Sequence, residues 1–89
     1  MADIQLIVVK SKFNENPKLD GLIADIHKDP RVRIIDRYTT SLNELLILAR
    51  YRVLQSPTIL FVVGSKLVGR LSAIPKHATV LKLMDDLSR

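Results

Sequence analysis

Apolar positions fall in two rhythms along this chain. Ile4, Leu6, Ile7, Val8 and Val9 form a run broken only by Gln5, which predicts a strand over residues 4–10. Such a continuous run is expected to be buried on both faces, as in the centre of an α/β sheet. The spacing then changes. Leu19, Leu22, Ile23 and Ile26 recur at i, i+3, i+4 and i+7, one stripe of an amphipathic helix. Asn16 is placed to cap that helix and Pro17 fits its first position, where a missing N–H costs nothing. Lys28-Asp29-Pro30 should end it, because the residue before a proline avoids helical geometry. Gly21, inside the helix, marks a candidate close approach.

Val32, Ile34 and Ile35 predict a short second strand ending at Asp36. Ser41 with Glu44 reads as a capping box for a second helix starting near Leu42 and ending near Tyr51. Leu42, Leu45, Leu46, Leu48 and Ala49 would give it a broad apolar face. Leu45 to Leu48 are four apolar residues in succession, more than one buried stripe needs, so either the helix is fully covered or it exposes an apolar spot. Thr58–Val63 and Lys66–Leu71 predict third and fourth strands, joined by a two-residue Gly64-Ser65 turn in which glycine supplies positive φ. Pro75 should open a third helix, with Val80, Leu81, Met84 and Leu87 along one face. The element order is βαβαββα.

At 89 residues the chain is expected to fold as one domain, residues 1–89. With 47% hydrophobic and 26% charged residues it reads as globular and not disordered. The longest apolar run is too short to span a bilayer, and no basic region precedes the first one, so a cytoplasmic protein without a secretory signal or membrane association is expected.

The stretch Ala49-Arg50-Tyr51-Arg52-Val53, then Ser56-Pro57-Thr58, then Val68-Gly69-Arg70-Leu71 resembles the second half of a thioredoxin-fold domain. There, a cis-proline tripeptide leads into a closing hairpin. The resemblance implies an α/β fold with a four-stranded mixed sheet of order 2-1-3-4 and helices on both faces. The first two strands would be parallel and joined by a right-handed crossover. It also implies a cis bond before Pro57.

The resemblance would further imply thiol–disulfide chemistry from a Cys-X-X-Cys motif at the start of the first helix. This chain reads Phe13-Asn14-Glu15-Asn16-Pro17 there and contains no cysteine. Only a thiolate attacks a disulfide, so exchange is excluded, as are disulfides and thiolate metal sites.

Other chemistry finds little footing. His27 and His77 lack metal-ligand spacing with neighbouring carboxylates, and Asp85-Asp86 diverge on a helix, so each reads as solvated surface. Gly64 and Gly69 lack the Lys-Ser/Thr of a phosphate loop. No cofactor, metal or enzyme activity is expected.

The formal charge of +5 invites a nucleic-acid partner, but the cations are dispersed. Lys10, Lys12, Lys18, Arg31, Arg33 and Arg37 could together hold an anion, although solvated charge accounts for them as well. The function expected is a redox-inactive, protein-binding subunit or adaptor, alone with its partner or within a larger complex. Its partner surface would be the groove of Phe13, Asn14, Glu15, Asn16, Ser56, Pro57, Thr58, Ala73 and Ile74. The alternatives are a regulator similar to the KaiB family of cyanobacterial clock proteins, or a basic nucleic-acid-binding accessory protein.

Overall fold

The structure, a computed structural model, describes residues 3–11, 13 and 16–88. The elements are β1 (Ile4–Lys10), α1 (Pro17–Ile26), β2 (Val32–Asp36), α2 (Leu42–Arg50), β3 (Thr58–Val63), β4 (Lys66–Leu71) and α3 (His77–Leu87). They build one four-stranded sheet in the order β2-β1-β3-β4. β1 runs parallel to β2, with Val8 opposite Ile34, and antiparallel to β3, with Val8 opposite Ile59. β4 closes the sheet antiparallel to β3.

The central strands are apolar on both faces because both faces are covered. Ile4, Leu6, Val8, Ile59 and Phe61 pack with Leu19, Leu22 and Ile26 of α1 and Val80 and Met84 of α3. On the opposite face Ile7, Val9, Ile35, Leu60 and Val62 meet Leu48 of α2 and Val53 beyond it. Burying these side chains, at roughly 1.5–3 kcal/mol each, is the main force holding the helices to the sheet.

The helix ends depart from the sequence reading in physical detail. Asn16 caps α1 as expected, its Oδ1 accepting from the Leu19 amide at 3.1 Å. Ser41 precedes α2 but makes no side-chain capping bond. The Thr39 hydroxyl instead donates to Glu44 Oε1 at 2.9 Å and accepts from the Ser41 amide at 3.1 Å, so the preceding loop takes the groups that a capping box would have paired. The third helix starts at His77, with Lys76 at its N-cap, and not at Pro75. Its inward stripe is Val80, Leu83, Met84 and Leu87, and Leu83 takes the place expected for Leu81. Gly21 marks no close approach, since a Cβ there would meet nothing within 4 Å.

β4 is not a regular strand. Phe61 pairs with Gly69 and Val62 with Leu67, which leaves Val68 without a cross-strand partner. This bulge reverses the faces: Leu67 joins the α2-side cluster, while Leu71 joins the cluster under α1 and α3. The preceding turn has Gly64 at φ 64°, as expected from the two-residue connection.

Candidate functional site

The ladder sets which loops can act together. Lys10 lies opposite Asp36, Val9 opposite Thr58, and Ile59 opposite Leu71. The segments after β1, after β2, before β3 and after β4 are thereby gathered at one end of the sheet. These segments carry the described residues of the expected groove.

Their roles differ. Phe13 is 69% exposed, and its ring meets Tyr38 edge-on with centroids 5.0 Å apart. The Arg37 guanidinium lies 5.8 Å from the Tyr38 centroid, within cation–π range. Two loops at this end are thus joined by an exposed aromatic contact. Tyr38 was no candidate in the sequence, where the only cue is an isolated aromatic residue just past a strand end.

Asn16 is committed to capping α1. Asn14 and Glu15 lie outside the described residues.

The Ser56–Pro57 peptide is cis, and both residues are half-buried. Thr58, by contrast, is a corrected candidate. It is buried, and its hydroxyl donates to the Gln55 carbonyl at 2.7 Å. That bond fixes the loop ahead of β3 and occupies one acceptor position of the Gln55 carbonyl. Thr58 therefore shapes the site from beneath.

Beyond β4, Ala73 is exposed, while Ile74 is half-buried against the core of α1 and α3. Ile74 also helps line a hollow of about 420 Å³ with Pro75, Lys76, His77, Lys18 and Leu22. This hollow joins the start of α1 to the start of α3. Neither Lys76 nor His77 entered the expected set.

Among the described residues, the cations proposed as one anion site do not share one end of the sheet. Arg31 precedes β2, at the sheet end opposite Lys10 and Arg37. Its guanidinium grips Asp29 through Nε to Oδ1 at 3.0 Å and Nη2 to Oδ2 at 2.7 Å. The same Asp29 Oδ1 accepts the Arg31 amide at 2.9 Å. These bonds from Arg31, the side-chain pair foremost, hold the Asp29 carboxyl below its ordinary value. Arg37 is engaged over Tyr38, and Lys12 lies outside the described residues.

His27 caps the end of α1, with Nδ1 3.1 Å from the carbonyls of Ile23 and Ala24. Among the described residues no group of three His, Cys, Asp or Glu side chains could hold a metal. No helix there is long and apolar enough to cross a membrane.

The frame around this site can be compared with known proteins. No family model matches the chain, and no curated protein matches its sequence. Solved structures do match. A mutant thioredoxin from Halobacterium salinarum superposes at a TM-score of 0.69 with 11% identity, over 99% of this chain and 77% of that one. Thioredoxin from Aeropyrum pernix gives 0.67 with 16% identity, over 97% and 76%.

The fold is thioredoxin-like.

An oxidised thioredoxin from Arabidopsis thaliana adds a third match, at 0.61 with 13% identity over 99% and 77%. Identities this low establish the thioredoxin-like architecture alone. The chain itself decides one point of chemistry. A thioredoxin-like frame with no cysteine has no thiolate with which to open a disulfide.

Proposed function

We propose that this chain is a redox-inactive, protein-binding subunit or adaptor that receives a partner segment at the end of the sheet where Phe13, Ser56, Pro57, Ala73 and Ile74 lie. The observation that carries this reading is the surface left there. Exposed Phe13 and Tyr38 meet across two loops, and half-buried Pro57 and Ile74 belong to two more. Apolar groups presented by several loops on a rigid sheet suit recognition. The groups that nucleophilic exchange would need are missing from the sequence.

An extended segment fits this end best, because the loop before β3 offers backbone next to a strand start. Main-chain pairing there would supply affinity, and the apolar loops would supply selectivity. The Gln55 carbonyl already accepts the Thr58 hydroxyl, so the pairing is assigned chiefly to the backbone of Ser56 and the Pro57 carbonyl. Dispersal of the cations argues against a nucleic-acid footprint as the main role.

The test is selection of linear peptides from a random library on the immobilised chain. Affinities of the selected peptides are then measured for Ala73→Arg and for Leu46→Glu. Ala73 is exposed, so arginine there obstructs the site without disturbing the core. A loss of about tenfold or more in Ala73→Arg, with Leu46→Glu unchanged, supports the reading. Unchanged binding by Ala73→Arg removes it.

A further inference from the structure

α2 presents the wrong stripe to water. Only Leu48 is buried, and Ile47 and Tyr51 pack beside it against the sheet. Leu42, Leu45 and Leu46 are 70%, 43% and 59% exposed, and Ala49 is exposed as well. These four stand at i, i+3, i+4 and i+7, so they form one continuous apolar face along the helix. Single exposed leucines are ordinary, but a continuous stripe is not. A hollow of about 530 Å³ lined by Leu46, Ile47, Ala49 and Arg50 lies along it.

We infer that this stripe docks an acidic amphipathic helix of a partner protein. Charge selects the occupant. Arg50 stands one turn beyond Leu46, lines the hollow and is exposed, and exposed Arg52 follows it. The single carboxylate of α2, Glu44, lies in its first turn, at the other end of the helix from Arg50. The stripe therefore ends in positive charge at the hollow, which favours Asp and Glu on the partner there.

A second copy of the chain fits less well. It would bring another Arg50 and Arg52 to the same interface in a protein that already carries +5. An extended strand fits less well too, since a helix offers no open backbone edge. Helix-in-groove packing, with partner anchors at i, i+3, i+4 and i+7, is the mode this surface matches. The face lies across the sheet from α1 and α3, so it is a second surface and does not depend on the loop-end reading.

Two synthetic helical peptides with the same apolar stripe test this, one flanked by Glu and the other by Lys. Each is titrated into the full isotope-labelled chain while backbone amide shifts are followed. The Glu peptide is expected to shift residues 42–54 and to bind roughly tenfold tighter than the Lys peptide. Leu46→Glu should abolish that binding, and Arg50→Glu should reverse the order of the two peptides. Both substituted residues are exposed, so the fold is retained. Equal binding of the two peptides, shifts centred elsewhere, or an unchanged order in Arg50→Glu overturns the inference. A sedimentation dimer that Leu46→Glu dissociates overturns it in favour of a second copy.

Discussion

The Val53 amide donates to the Leu48 carbonyl at 2.9 Å, closing the end of α2. With the Arg52 amide on the Ala49 carbonyl at 3.2 Å, this makes a Schellman motif, and Leu48 and Val53 share one buried cluster. The position between them that glycine usually fills is Arg52, at φ 52°. A side chain in that left-handed region costs about 1–2 kcal/mol. Arg52→Gly is expected to stabilise the protein by about 1 kcal/mol, seen as a raised urea midpoint with an unchanged slope. A lowered midpoint would mean that the arginine side chain contributes more than its backbone costs.

The same junction is held from β4. Arg70 donates to the carbonyls of Tyr51 and Arg52, a cation placed at a helix C-terminus. Arg70→Leu keeps most of the aliphatic bulk and removes the donors. It should destabilise by about 0.5–1 kcal/mol at low salt, less at high salt, with faster hydrogen exchange at Val53.

Two glycines should respond in opposite directions to alanine. A Cβ at Gly69 would sit 3.3 Å from Phe61 Cδ2 and 3.6 Å from Leu87 Cδ1. Phe61 is fully buried and has little room to yield, so Gly69→Ala should cost about 1 kcal/mol or more. Gly21 is exposed, helical and surrounded by open space, so Gly21→Ala should add up to about 1 kcal/mol. Denaturant unfolding of the two variants beside the parent reads both signs.

Acid should remove one local contribution to stability. The folded Asp29 carboxyl is lowered by its bonds from Arg31, so its stabilisation is fully present above the ordinary carboxylate pKa. It is lost as pH falls through the lowered folded value. The stability gap between the parent and Asp29→Asn should therefore shrink as pH falls below about 4. The exchange of the Arg31 amide should follow the same course, since the Asp29 carboxylate accepts from it.

How much was legible in the sequence follows from what each signal reports. β1 was plain because a strand covered on both faces is apolar nearly throughout, with Gln5 its one exposed position. The bulge at Val68 was not, since Lys66–Leu71 has the same alternation in either register, and only pairing with Phe61 and Val62 selects one. The face of α2 was undecidable because Leu45, Leu46, Ile47 and Leu48 supply apolar residues to two stripes. The sheet takes Ile47 and Leu48 and leaves Leu42, Leu45, Leu46 and Ala49 outside.

At the candidate site, the cis bond before Pro57 was legible through the resemblance carried by Ser56-Pro57-Thr58. Thr58 was placed correctly in the chain but serves the loop, because its hydroxyl is satisfied locally by Gln55. Tyr38 carries no motif, and its role depends on Phe13 arriving from a different loop.

The most direct test of the central claim is an amide-shift map of the isotope-labelled chain bound to a linear peptide selected from a random library. A binding domain that uses the loop end of its sheet should show the largest shifts at Phe13 and Asn16, at residues 55–58 and at residues 72–75. Shifts confined to other regions, or no peptide with measurable affinity, would contradict it.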